Sequence, residues 1–596
     1  MDRKSLIILV ASFALLMLWY PLTNRLFPPL PKPTNQPPAE ITLPLADNPN
    51  ATTPVTPASP NQPAALTAAA SSVTTPAGPE ETRIIEDADA RYTFTSRGGG
   101  IKRIELKEYP ATVDCRKRNA PTNQLAVLNA VVPTPILTIR GAGLDAEGAF
   151  ILSNTATGIR AERQLANGLH LVKEFRPSTN YLVHATVRLE NRSEQAVPLP
   201  SQEWIIGAAT PLTLRDESLM LGIEWYDGSS AQRITDAWFA NRTLGCIPGT
   251  PRTEFLAGSS NVVWVSVQNQ FFTIIAVPAQ PAPAAVGRKV TLPPPTREQM
   301  ASEPKAISNP HGFEAGFAYP GGVVGPNQTV ERQFDIYTGP KEYNTLARLP
   351  KNMDLVMGFG GFFGFFAKAL LLSMNGLHAM GLPYGVAIIV ITVVIKLLFW
   401  PLTQASTRSM KRMQQLQPQM KALQEKYKDD PRKMNMKLME FMRENKVSPL
   451  GGCLPMLLQI PVFFGFYRML QSAIELRGAR FLWACDLSQP DTLFVLPGLN
   501  FPVNPLPLVM GATMLWQARL TPPSPGMDPV QQKIMKYMPL MFMVFLYNFS
   551  AGLTLYWTVQ NLLTIAQMKL TKSADSTAAN RASVSPAKGS APKRKR

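Results

Sequence analysis

The sequence predicts a membrane protein in two parts. One is a membrane α-helical bundle of six transmembrane helices, five of them forming the core, and the other is an extracytoplasmic β-sandwich domain. Three observations lead there. Long apolar runs are confined to the first residues and to the region beyond about 355, although the mean hydropathy of the whole chain, −0.02, resembles that of a soluble protein. The stretch between them alternates apolar and polar residues at the period of a strand. The net charge of +18 gathers beside the later apolar runs, as basic residues do on the cytoplasmic side of a bilayer.

Met1-Asp2-Arg3-Lys4 precedes an apolar run, Leu6–Tyr20. It ends in Trp19-Tyr20, residues that favour the membrane interface, and no small-residue cleavage site follows. Residues 1–22 therefore read as a retained anchor with Arg3 and Lys4 cytoplasmic. Residues 23–81 are mainly Pro, Ala and Thr. They carry too little apolar side chain to offset ordering entropy, which predicts a disordered tether.

Residues 82–350 read as the β-sandwich. Tyr181, Val183, Ala185, Val187 and Leu189 alternate with polar residues before the turn signal Asn191-Arg192-Ser193. Val262 to Val277 is more continuously apolar and reads as a strand buried on both faces. No convergent polar cluster marks a ligand site in this domain. Residues 355–380, with Phe362, Phe363, Phe365 and Phe366 beside a sparse polar face, read as an interfacial amphipathic helix.

The core occupies 383–570, with spans at 383–402, 453–473, 503–520, 535–550 and 553–570. A cytoplasmic helical hairpin, 405–448, follows the first of these. The connection 403–450 carries eleven basic residues against five acids, whereas 474–502 is near neutral, with Glu475, Asp486 and Asp491 set against Arg477 and Arg480. The tail 571–596 is basic again. This alternation places both termini in the cytoplasm and the β domain outside. In the hairpin Met413, Leu416, Met420, Leu423 and Tyr427 keep coiled-coil spacing. Asp429-Asp430-Pro431 then breaks the helix, and Asp430 with Pro431 can start a second one.

Lys396 lies inside the apolar run Ala387–Trp400. A lysine at the bilayer centre costs about 2.5–3.5 kcal/mol on insertion scales, so its presence requires a reason. Snorkelling is the plainer one, because the cytoplasmic end is roughly 9 Å away at 1.5 Å per residue. Other polar residues argue for more. Thr392 sits one turn before Lys396, Gln459 interrupts the third span, and Trp557, Gln560, Thr564 and Gln567 form one stripe on the last, with Tyr556 one turn before Gln560. Each stripe alone is explicable as interhelical hydrogen bonding, worth about 0.6 kcal/mol on average. Three of them facing one cation describe a hydrated groove. Arg468, toward the outer end of its span, reads as a snorkelling cation.

The spans contain no Asp or Glu, and the sequence has no Walker A motif, no Ser-His-Asp set and no His-Glu zinc helix. Four cysteines have no metal spacing and the histidines are scattered. These readings predict no enzyme, no metal and no cofactor. DNA binding is not expected, because no recognition motif accompanies the basic charge. Cys115 and Cys246 fall in the exported domain, where they can pair.

An ordered set of motifs then carries a family resemblance. It comprises Lys396 with Pro401-Leu402-Thr403, Leu416-Gln417-Pro418, Ser448 to Pro455, Gln459-Ile460-Pro461, Asp528 to Met535 and Gly552 to Trp557. Residues 355–570 resemble the YidC-type membrane protein insertases, relatives of the Oxa and Alb proteins, and the whole chain resembles their long Gram-negative form. The resemblance implies a bacterial inner-membrane protein with its large domain periplasmic, and a five-helix core around a groove open to cytoplasm and lipid. It implies an insertase and chaperone without nucleotide or cofactor. Its substrate groove would comprise Lys396, Thr392, Gln459, Tyr556, Trp557 and Gln560, with Lys396 where arginine is common. The implied partners are nascent membrane proteins, the Sec translocon, membrane lipids, and the ribosome and targeting factors through the basic hairpin and tail. The alternative from the residues alone is a small-solute transporter or channel, which a groove open to both sides or carboxylates within the spans would favour.

Overall fold

The computed structural model describes residues 79–113, 124–144, 149–214, 220–242, 249–302, 306–445, 454–496, 498, 501–520 and 529–584. The expected anchor, nearly all of the tether, Cys115, Cys246 and the final basic residues lie outside these. The described residues divide into two compact units, one running to Met357 and the other from Gly358 onward, with Val113 grouped with the second.

The first unit is built of strands. β1 (Thr82–Glu86), β2 (Ala90–Thr95), β3 (Gly100–Pro110) and β4 (Leu125–Leu128) form a sheet in that order. The chain continues through β5 (Thr138–Arg140), β6 (Ile151–Asn154), β7 (Ile159–Gln164), β8 (His170–Pro177), β9 (Leu182–Glu190) and β10 (Val197–Leu199). It then forms β11 (Gln202–Ala209), β12 (Gly222–Tyr226), β13 (Ala231–Ile234), β14 (Glu254–Ala257) and β15 (Trp264–Gln268). The last five are β16 (Phe272–Pro278), β17 (Ala284–Thr291), β18 (His311–Tyr319), β19 (Gly322–Val324) and β20 (Thr329–Pro340). A nine-stranded sheet has the order β13-β12-β15-β16-β20-β9-β8-β7-β6, and a five-stranded sheet the order β14-β17-β18-β11-β5.

These two sheets pack face to face. Trp204 of β11 and Phe317 of β18 meet Phe334 of β20 at ring separations of 6.5 and 5.8 Å. Such large buried side chains each contribute about 1.5–3 kcal/mol. In β9 the alternation read from sequence is realised, with Val183, Ala185, Val187 and Leu189 buried. Val262 to Val277 is two strands, β15 and β16, rather than one. Asn269 turns the chain between them, its Oδ1 accepting from the backbone N–H groups of Phe271 and Phe272, an Asx turn.

Two lysines are buried in this unit. Lys173 donates to the carbonyls of Gly98 and Leu137 at 2.6 and 2.7 Å and faces the Phe150 ring. Burial, with Arg163 adding repulsion, holds its pKa well below the usual lysine range. Lys341 donates to Gln268, which donates to Glu224. Burial pushes Lys341 down and Glu224 up. A convergent polar cluster therefore does exist here, against expectation. Its members come from separate strands whose pairing the sequence does not display.

The second unit is helical: α1 (Gly361–Ala379), α2 (Tyr384–Leu398), α3 (Trp400–Gln415), α4 (Gln417–Lys426), α5 (Pro431–Glu444), α6 (Leu454–Ser472), α7 (Pro505–Leu520), α8 (Pro529–Phe545) and α9 (Ala551–Val584). No single described helix is long and apolar enough to cross a membrane, but α2 with Trp400–Ser406 meets that measure as a pair bent by 57°. The continuous span expected over 383–402 is thus broken at Phe399. Pro401 has no N–H to give and crowds the preceding turn. The Thr403 hydroxyl bonds the carbonyls of Phe399 and Trp400, both at 3.0 Å.

The segment read as an interfacial helix forms α1, which packs closely on α6. A Cβ at Gly465 would meet the Phe366 Cβ at 2.7 Å, so this glycine permits the approach of the two helices.

The hairpin helices α4 and α5 enclose Met413, Met420, Leu438 and Met442, with Leu416, Met434 and Phe441 packed around them. The single seam read from sequence is divided between α3 and α4, because Pro418 lies in the first turn of α4. Leu423 and Tyr427 are half-buried, and the Lys426 and Lys433 ammonium groups approach the Tyr427 ring at 5.7 and 5.8 Å. Asp430 caps α5, accepting from the N–H groups of Arg432 and Lys433 at 3.1 and 3.0 Å.

Candidate functional site

The site forms where α2, α6 and α9 meet. The aliphatic run of α2 makes a regular helix, and its 3.6-residue period puts Thr392 and Lys396 on one side. Both are buried, Lys396 to 6% exposure. The Lys396 Nζ donates to Thr564 Oγ1 of α9 at 2.8 Å. The Thr564 hydroxyl donates in turn to the Gln560 carbonyl at 2.7 Å. The Gln560 side-chain amide donates to Gln459 Oε1 of α6 at 3.1 Å, and Gln459 Nε2 donates to the Tyr556 hydroxyl. Tyr556 lies fully buried, stacked on Phe466 at 4.2 Å. A bonded series from α2 through α9 to α6 therefore joins Lys396, Gln560, Gln459 and Tyr556.

Two of the expected groove residues stand apart from that series. The Thr392 hydroxyl donates back to the Ile388 carbonyl at 2.7 Å, within its own helix. Trp557 is half-buried among aromatic rings, edge-on to Phe463 at 4.9 Å and near Phe542 at 5.9 Å. The hairpin residues Met413, Leu416 and Met420 belong to the separate cluster described above. Arg468, read as a snorkelling cation, bonds the carbonyls of Gly358 and Gly360 at 3.1 and 3.4 Å.

The residue that sequence reasoning undervalued is Thr564, the direct partner of Lys396. Its signal was its place one turn beyond Gln560 on the stripe. Gln567 on the same stripe donates to Thr403 at 2.6 Å, beside the Pro401 bend. Asn561 donates to Thr513 of α7 at 3.2 Å.

A lysine ammonium has three donors. Thr564 takes one, so the cation keeps donors for polar groups entering between the helices, while the two glutamines and Tyr556 are bonded to one another. Among the described residues no Asp or Glu bonds this series.

A family model described as 60Kd inner membrane protein matches residues 376–578, and one described as YidC periplasmic domain matches residues 84–372. The membrane protein insertase YidC of Oleidesulfovibrio alaskensis is 32% identical over 603 residues, spanning 95% of this chain and 98% of that protein. This chain belongs to the YidC family of membrane protein insertases. The YidC of Pelobacter propionicus is 34% identical over 488 residues, 80% of this chain and 83% of that one. The YidC of Syntrophobacter fumaroxidans reaches 50% identity over 246 residues, 40% of this chain and 44% of that one. As a YidC family member the chain is an inner-membrane protein with a periplasmic domain, and these relatives do not favour the transporter alternative.

Proposed function

We propose that this YidC family member inserts nascent membrane proteins by receiving their polar flanks between α2, α6 and α9. The observation that carries the reading is the Lys396–Thr564 contact, which holds the cation inward across two helices instead of leaving it to reach an interface. An acidic or polar flank would exchange with Thr564 and the glutamines for the same donors. The apolar part of the substrate would pass along the α6–α9 side, past Trp557 and Phe463, into lipid. Apolar burial in the bilayer supplies the driving force, and the polar series lowers the barrier for the flank. No nucleotide or cofactor takes part in this scheme.

The proposed topology has six spans, the N-terminal one preceding the described residues, with both termini, the basic hairpin and the tail in the cytoplasm. The hairpin and tail are then positioned to meet the ribosome and targeting factors, by phosphate attraction where RNA is exposed, and insertion proceeds alone or with the Sec translocon. The test is site-specific crosslinking from Thr392, Gln459 and Gln560 to a ribosome-stalled nascent membrane protein. Adducts at Gln459 and Gln560 are expected. Their absence, together with solute flux in liposomes of the pure protein, would move the reading to a transporter.

A further inference from the structure

In the connection between α6 and α7, Asp486 and Asp491 turn inward while the apolar residues from Leu493 to Leu496 and Phe501 face outward. Asp486 accepts from the Ser488 N–H and hydroxyl at 2.8 and 2.6 Å. Asp491 accepts from the Trp483 indole at 2.9 Å and the Leu506 N–H at 2.7 Å. Both carboxylates are buried. Beyond them the sequence has no charged residue until Arg519. In that stretch β21 (Phe494–Leu496) pairs antiparallel with β22 (Phe501–Val503).

This ribbon lacks the usual half-buried pattern. Phe494, Val495, Leu496 and Phe501 are 50, 48, 37 and 48% exposed, and Leu493 and Trp483 beside them are exposed as well. Successive strand side chains point to opposite faces, so Phe494 and Val495 present apolar surface on both sides of a two-stranded ribbon. A folded partner would cover one side, whereas a fluid apolar medium covers both. An isolated hairpin of this kind is at best marginally stable in water.

The base of the ribbon is nevertheless firmly held. The Tyr547 hydroxyl donates to the Pro502 carbonyl at 2.7 Å, its ring stacks on Phe501 at 5.2 Å, and Asn504 Nδ2 donates to the Tyr547 carbonyl at 2.8 Å. Leu508 of α7 and Val544 and Phe545 of α8, within four residues of Asn504 and Tyr547 in the chain, are exposed apolar side chains as well, as suits the lipid-facing surface of an inner-membrane protein.

We propose that the β21–β22 ribbon is a lipid-inserted foot, seated in the boundary between headgroups and acyl chains at this end of the bundle, with phospholipid as its occupant. Amphipathic helices that lie in the interface bury their apolar face ~5–10 Å into that boundary, and the same depth is assigned to the ribbon. The inference is independent of the groove reading, since none of these residues belongs to the polar series.

The test uses the full chain in proteoliposomes of phosphatidylethanolamine and phosphatidylglycerol. A photoreactive benzoylphenylalanine is placed at Phe494 or at Val495, and a fluorescent 4-cyanophenylalanine separately at Phe494. Phospholipid adducts are expected at both positions, with emission falling roughly twofold when shallow nitroxide-labelled lipid is included, as that depth requires. Adducts to a polypeptide would overturn the proposal. So would quenching by aqueous iodide equal to that of the same probe at the exposed Val323 position.

Discussion

Lys396 has one side-chain hydrogen bond, to Thr564, and little exposure, so a change of its charge is felt strongly by any flank that enters beside it, and thermal midpoints of the variants in detergent separate that effect from a loss of folding. Lys396→Glu should slow insertion of substrates with acidic translocated segments by roughly tenfold or more, on the scale of a charge-assisted hydrogen bond at about 1.5–3 kcal/mol. Lys396→Arg should retain most activity. Protease protection of the translocated segment measures both, and full activity of Lys396→Glu would return the residue to a snorkelling role. Lys173 in the β unit permits a different check. Its folded pKa is depressed, so between that value and the usual ~10.4 the unfolded chain binds a proton the folded chain does not. That lysine therefore makes stability rise with pH through this window. In Lys173→Met the gain in thermal midpoint of the β unit as pH rises toward the usual lysine value should shrink, while the share from Lys341 persists. Calorimetry of the full-length protein reads the difference. Lys396 was legible in the sequence because a cation in an apolar run is conspicuous. The Lys341–Gln268–Glu224 group was not, because each member is an ordinary residue until strand pairing brings them together.

At the scale of elements, proline and glycine decided what hydropathy could not. The run over 383–402 reads as one span because hydropathy averages over Pro401, whereas the backbone loses a donor there and bends. The Met seam is legible as a pattern, but its division at Pro418 is not, because heptad spacing carries no sign of a helix that restarts at a proline. Gly465 is invisible to periodicity and matters only because α1 lies against it. Gly465→Leu should separate α1 from α6 and cost about 1–3 kcal/mol, the usual range for overpacking, seen as a lower denaturation midpoint in detergent. A midpoint unchanged from the parent would mean that α1 is not tightly seated. In the hairpin, Asp430→Ala should cost about 1 kcal/mol of local stability, as other N-cap losses do. Hydrogen exchange at the Arg432 and Lys433 amides should quicken accordingly, with α7 unaffected.

At the scale of the molecule, the two units follow different rules of sidedness, and charge is what relates them to the bilayer. Each basic residue near an anionic leaflet is worth about 1 kcal/mol, and translocating the connection 403–450 would carry eleven of them across against five acids. The connection after α6 has no such excess, and its two buried aspartates add no outward charge. These terms all favour one orientation, with the hairpin inside and the β unit outside. A cysteine at Met436, exposed on α5, should therefore react with a membrane-impermeant maleimide only after spheroplasts are permeabilised. One at Val323, exposed on β19, should react in intact spheroplasts. Reaction at both positions without permeabilisation would show that the basic connection does not set the topology. The proposed roles for the hairpin, the tail and the direction of insertion would then fail together.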